Sequence, residues 1–520
     1  MKKTIVLVLC AVMLLCVFTG CGGEQAQQPQ ADTFCVGYAK ADITPVDPVS
    51  LGGYGDEETR ISKGFLEPSY ATCVAFSDAG GEKLLLISID LSGCRQDIFD
   101  VMRETISQET GIPVSHVLFT ASHSHSSPYT ASASRTGVTD YIALLFERIP
   151  GGAKAALEDL APATMETGFQ RVDRLNTVRH YLLSDGSYQG RAVGTLTKDQ
   201  LIGHYGAVDN LLQVVKFTRE GEKKPVVLVN WAGHPTGMKG ENYYYASPNY
   251  AGAMRTELET KYDCLVSFVL SGSGNVNNGS QFSNELDFEG GEYKKLGQLL
   301  AGYVGQVLEG KLTAGKADDI IVSENLFVTP NKKGEDQEVP LYAFCVGDWA
   351  CVTAPFEIFD TNAMAVRDAS QFKMTFYASC SNRAMGYLPT PPSFDWEITY
   401  EAEITKFPKG MAEMVQAQLI GQLDAIFAQS GNEAAEKPEG YVTPEFVPRS
   451  DDVVYQNPAP GEFSQCHEVK NGFYALILLK NGHMQNVLCI DRETAEKVVA
   501  QASMKLVFNE QNVIVDVIPQ

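Results

Sequence analysis

The stretch KLLLISIDLSGCRQDIFDVMRETISQETGIPVSHVLFTASHSHS, residues 83–126, decides the fold class. Two apolar runs of strand length, KLLLISID and HVLFTAS, flank RQDIFDVMRETISQETG, whose apolar residues recur at helical spacing and which ends in a glycine. Strand, helix, strand is the βα rhythm of an α/β core. Ligands of such sheets gather at the carboxyl ends of strands, and there this stretch places His123 and His125. On an extended segment positions i and i+2 point to one side, so both imidazoles can face one pocket. Read alone, such a pair is more often a polar strand end than a site.

The same rhythm continues outward. ATCVAFSD precedes the unit as another strand. DYIALLFERIPGGAKAALEDL reads as helical with a Pro-Gly break, and EYKKLGQLLAGYVGQVLEG as a clean helix. NLLQVVKFT and KPVVLVNWAG form a hairpin around REGEKK. The prediction is an α/β class with a mixed sheet over residues 35–430, ending in the helix MAEMVQAQLIGQLDAIFAQ. A polar linker over 431–442 leads to a small α+β domain at 443–520 that carries no chemically suggestive cluster.

With 520 residues, 44% hydrophobic and 20% charged, the chain has the composition of a globular protein of one large domain or two. A formal charge of −23 argues against nucleic acid or anionic headgroups as partners of the body. Residues 1–20 read as a leader: basic MKK, the apolar TIVLVLCAVMLLCV, then VFTG before Cys21. An apolar run of about fourteen residues is shorter than the roughly 20 a spanning helix needs. Cleavage and lipidation at Cys21 are therefore expected, with residues 21–34 as a flexible tether to the outer face of a bacterial membrane. Nine cysteines follow Cys21, an odd number without a CxxC pair, which predicts neither a zinc ribbon nor a full disulfide framework.

Three further stretches join SHSHSS as chemical candidates. VVLVNWAGHPTGM carries His234 just past an apolar run. GDWACVTAPFEIFDT carries Glu357 after Pro355, read as the start of a helix and favoured there by the dipole. YASCSNRAMGYLPTPPSFDWEITYEAE sets Tyr387 in a Gly/Pro-rich loop. Each alone has a plain structural reading: a loop histidine, a helix-start acid, a packed aromatic.

Taken in this order, the four resemble the catalytic domain of the neutral/alkaline non-lysosomal ceramidase family. SHSHSSP matches the family's THTHSGP, NWAGHP its histidine after an N-W strand, PFE its PGE, and GYLPT…TYE its GY loop followed by YE. VGYAKADITP resembles the family's opening strand, GGYG its following glycine turn, and DLSG a further short element. The resemblance spans residues 36–405 and implies that His123, His234, Glu357 and Tyr387 hold Zn²⁺. Nitrogen and oxygen donors of this kind suit zinc at about 2.0–2.2 Å. It also implies that His125 stands outside the ligand set, hydrogen-bonding near the water or the substrate oxyanion. Arg179, in NTVRHY, would neutralise that oxyanion.

One segment departs from the pattern. Where the family carries GD-[VT]-S-P-N, this chain has GNVNN, and the family's serine position falls on Asn277. An amide cannot attack a carbonyl, although it can orient a water. The expected activity is zinc-dependent hydrolysis of an amide or ester bond in a small-molecule or lipid-like substrate. The alternatives are a surface binding protein that keeps the fold without turnover, and a phosphatase-like or carbohydrate-directed metal hydrolase.

Overall fold

The computed structural model describes residues 33–172, 175–183, 187–190, 200–204, 208–238, 240–278, 292–395, 398–435, 454–457, 459–463, 466–468, 474–480, 483–508 and 513–520. The leader, Cys21 and the tether up to residue 32, and residues 436–453 around the end of the linker, lie outside them.

Alternating and fully apolar runs pair into a large mixed sheet. Its order is Leu265–Leu270, Val226–Trp231, Leu211–Arg219, Ala161–Arg171, Cys35–Asp42, Tyr70–Ser77, Lys83–Ile89, Val117–Ala121, with Thr313–Gly315 added beside Ala161–Arg171. Both end pairs are parallel and the interior is antiparallel. A second sheet holds Ile320–Pro330, Asp336–Val346, Trp349–Thr353 and Met374–Ala378, the last two parallel.

The layers are richer than a single α/β sheet. The two sheets share a dry core in which Phe76, Phe217, Phe344 and Phe376 surround Trp349 with ring centroids 5.4 to 6.1 Å apart. Such ring pairs add about 0.5–1.5 kcal/mol each beyond their area. Gln96–Thr110, Val138–Glu158, Asn249–Tyr262 and Glu292–Gly310 cover the outer face of the large sheet, and Asp360–Ala369 and Met411–Ser430 that of the small one. The order across the molecule is helix, sheet, sheet, helix.

The expected Pro-Gly break does not interrupt its helix. Val138–Glu158 runs through Pro150, because Tyr141, Leu145, Ile149, Ala153 and Ala156 pack on the sheet on both sides of the proline. Gly152 sits so close to the sheet that a Cβ would meet Ala41 at 2.9 Å.

The nine cysteines after Cys21 are all free, eight of them buried. Near the C-terminus a six-stranded sheet with the helix Arg492–Ala500 has its own apolar cluster around Leu478, Val498 and Ile514. Among the described residues no helix is long and apolar enough to cross a membrane.

The three parallel pairs fix the place of the chemistry. Ser271 N–H donates to Trp231 O at 3.0 Å, Ser379 N–H to Leu270 O at 2.9 Å, and Ala121 N–H to Cys380 O at 3.3 Å. The carboxyl ends of both sheets therefore converge on one point.

Candidate metal centre

Strand Val117–Ala121 ends just before the SHSHSS turn, and His123 takes a left-handed φ of 62°. Cys380 at 51° and Asn382 at 59° do the same beside it. Left-handed backbone is uncommon outside glycine, and such strain collects at functional sites. The extended i, i+2 alternation is thus not what brings the imidazoles together. The left-handed turn is. It is braced from below by Asn382, whose Oδ1 accepts from Phe119 N–H at 2.9 Å while its own N–H donates to Phe119 O at 3.0 Å.

His123 Nε2 lies 3.2 Å from both His125 Nε2 and His234 Nε2, and the latter two are 2.9 Å apart. The three rings stand edge-to-face, centroids 4.7 to 4.9 Å apart, and all are buried. Together they form a buried set able to hold a metal ion. His125, expected outside the ligand set, shares this cluster on distance.

Its hydrogen bonding sets it apart. The Nδ1 atoms of His123 and His234 bond the carbonyls of Ser92 and Ser273, at 2.5 and 3.0 Å. Such a partner fixes the tautomer that leaves the Nε2 lone pair for a metal. His125 Nδ1 is buried with no hydrogen-bond partner among the described residues.

Glu357 Oε2 completes the cluster at 3.1 Å from His123 Nε2 and 3.8 Å from His234 Nε2. The acid does not begin a helix. Glu357–Ile358 is a two-residue strand paired in parallel with Tyr387–Leu388, Glu357 opposite Tyr387, and the helix starts at Asp360. Gly274 makes this possible: a Cβ there would lie 2.4 Å from Glu357 O.

Arg179 lies behind Tyr387, its Nη2 donating to the phenol oxygen at 3.2 Å and its Nε to Glu401 Oε1 at 2.7 Å. His180 Nε2 is 3.2 Å from the other Glu401 oxygen. Asn277 stands on Val276–Asn278, paired with Asn176–Val178 directly before Arg179. Its amide makes no hydrogen bond to the three imidazoles. Its neighbours reach the site's frame instead: Asn278 Nδ2 donates to His234 O at 2.6 Å, and Asn275 Nδ2 to Asp360 Oδ1 at 2.7 Å.

The electrostatics suit cation binding. Burial, then neighbouring imidazoles and Arg179, hold His125 and His234 well below the ordinary imidazole value, in the neutral form that a ligand needs. Burial also opposes charge on His123, but Cys380 and Glu357 outweigh it and raise its pKa. The Glu357 carboxyl is penalised by burial yet lowered on balance by His123, Tyr387 and Arg179. Donors and charges fit a divalent cation of borderline softness.

Residues 34–284 match the sequence model of neutral/alkaline non-lysosomal ceramidase, N-terminal domain. This segment is similar to the neutral/alkaline non-lysosomal ceramidase family. Among solved structures, neutral ceramidase from Pseudomonas aeruginosa is similar at TM-score 0.63 and 15% identity, over 78% of this chain and 76% of that one. A ceramidase complexed with C2 is similar at TM-score 0.62 and 14% identity, over 94% of each chain. At such identities the likeness is one of fold, and it runs beyond the matched segment. No curated protein matches the chain.

Several residues of this ceramidase-like site escaped the sequence reading although their motifs were in view. Ser92 lies in DLSG and Glu401 in TYE, fragments that carried resemblance without a role. Asp360 ends the PFEIFD stretch. Glu401 is fully buried in the short helix Tyr400–Ile404, and nothing in so short a stretch of sequence signals that burial.

Proposed function

We propose that this chain is a zinc-dependent hydrolase of an amide or ester bond in a lipid-like substrate. The observation that carries the reading is the convergence of three Nε2 atoms within 3.2 Å of one another, with Glu357 Oε2 3.1 Å from His123. His123, His234 and Glu357 would hold the ion, with Tyr387 beside Glu357 as the fourth donor. Zinc bound there would polarise a carbonyl and acidify water.

The chain's own residues supply the rest. His125, its Nδ1 unpartnered and its Nε2 in the cluster, accepts the proton of the attacking water. It returns that proton to the departing nitrogen or oxygen as the bond to the carbonyl carbon breaks, leaving an acid and an amine or alcohol. Arg179 offers a fixed positive charge beside the developing oxyanion, and Glu401 and Tyr387 hold its pKa up against burial. Asn277 replaces the family's serine and orients the water rather than attacking.

The resemblance of the leader to a bacterial lipoprotein signal supports lipidation at Cys21 and a place on the outer membrane face. Cys21→Ser should release the protein from the membrane fraction of its host. The substrate reading is tested by a panel of N-acyl, ester and lactone compounds offered to the zinc-loaded protein, with turnover expected on at least one class. Asn277 favours a second reading, a surface binding protein, which binding without turnover across the panel would establish.

A further inference from the structure

The turn GGYG at residues 52–55 has no part in the chemistry above, yet it lies against His125. Gly53 takes φ +114°, and a Cβ there would come within 2.6 Å of His125. This close approach brings the Tyr54 ring edge-on to the His125 imidazole, centroids 5.1 Å apart at 76°. Tyr54 Oη accepts from Gly237 N–H at 3.3 Å, in the loop that follows His234.

The ring is braced from behind. Arg60 is completely buried and donates to the carbonyls of Gly52, His125 and Tyr243 at 2.9, 2.7 and 2.8 Å and to Ser126 Oγ at 3.2 Å. Its guanidinium also lies over the rings of Tyr54 and Tyr243, at 4.8 and 4.1 Å. Tyr243 in turn meets Tyr54 at 5.4 Å and donates to Asp56 Oδ2 at 2.6 Å.

His123 and His234 each have a carbonyl on Nδ1 to fix the ring; among the described residues His125 has none. Arg60 fixes the backbone of His125, and among the described residues the ring packed on it, besides the other two imidazoles, is that of Tyr54. We infer that Tyr54 is a positioning residue, whose ring, backed by Arg60 and Tyr243, sets the orientation of the His125 imidazole by packing. The kinetic consequence rests on the hydrolase reading; the orientation itself does not.

The test compares wild type with Tyr54→Ala, Tyr54→Phe and Tyr54→Leu. Zinc content, kcat and KM are measured on the best substrate of the panel. The ring resonances of ¹⁵N-histidine-labelled, metal-free protein are recorded alongside, with His125 assigned through His125→Ala. Tyr54→Ala should keep its zinc and lose kcat roughly 100-fold with KM little changed, since small misplacements of a reacting group cost about that much. Tyr54→Phe, which keeps the ring, should stay near wild type. The His125 resonances should shift or broaden in Tyr54→Ala while those of His123 and His234 hold. Unchanged kcat with unchanged His125 resonances would overturn the inference, as would zinc loss in Tyr54→Ala or an equal loss in Tyr54→Phe. Should Tyr54→Ala fail to fold, Tyr54→Leu carries the same expectations. If wild type turns over nothing, the hydrolase reading falls and the resonances alone decide the role of Tyr54.

Discussion

Glu357 and Tyr387 are direct partners in a two-residue parallel ladder, thirty positions apart in sequence and side by side at the candidate metal centre. Backbone pairing sets the carboxylate and the phenol next to one another, where they share a side-chain hydrogen bond. Removing the Tyr387 hydroxyl should therefore spare the ladder. Tyr387→Phe is expected to fold normally and to weaken zinc binding by at least about 10-fold, the lower end of what losing even a ligand's hydrogen-bonded support costs. Zinc titration against a competing chelator measures this, and unchanged affinity would remove Tyr387 from the ligand set.

His123 and His125 differ in what holds Nδ1, and their substitutions should differ in kind. His123→Ala should lose both zinc and turnover. His125→Ala should keep zinc near the wild-type level while kcat falls by roughly 10²–10⁴, the range of a lost general acid–base. Zinc analysis beside steady-state kinetics separates the two; equal zinc loss in both variants would make His125 a ligand.

Glu401 is completely buried between Arg179 and His180. Glu401→Gln leaves the Arg179 guanidinium without its carboxylate, a change that costs about 3–5 kcal/mol at buried pairs. Denaturant unfolding at neutral pH should show it. Burial pushes the Glu401 carboxyl up, but Arg179 and His180 prevail and lower it from 4.5 to about 2. A carboxyl lowered on folding stabilises fully above its unfolded pKa and less as pH falls through its folded one. Wild type should lose this increment between about pH 4.5 and pH 2, and the variant should show no such loss in that window.

Asn277, proposed to replace the family's serine, stands on a strand beside the candidate centre, and its amide makes no hydrogen bond to the three imidazoles. Asn277→Ala should lower turnover without abolishing it, and metal content should be unaffected. A complete loss of turnover at full zinc occupancy would give the amide an essential part.

Part of the candidate site was legible because His123 and His234 each follow an apolar run of strand length, with Glu357 and Tyr387 after them in the motif order. His123, His234, Glu357 and Tyr387 were readable from motif order, and the strands before them from apolar runs. What local patterns could not carry was long-range geometry. Face-to-face packing of two sheets leaves each strand looking like any buried strand. Glu357 read as a helix start because Asp360 does begin a helix three residues later, while its pairing with Tyr387 is non-local. The place of His125 within the cluster depends on the left-handed turn at His123, a conformation that histidine visits more often than most residues but still rarely. Pro150 read as a break because its cost is local and the packing that offsets it comes from the sheet.

Zinc analysis of the purified protein, beside the His123→Ala/His234→Ala double variant, tests the central claim most directly. Near-stoichiometric zinc in wild type that is lost in the double variant is the predicted result. No zinc in wild type, or zinc that survives the double substitution, would contradict the metal centre described above.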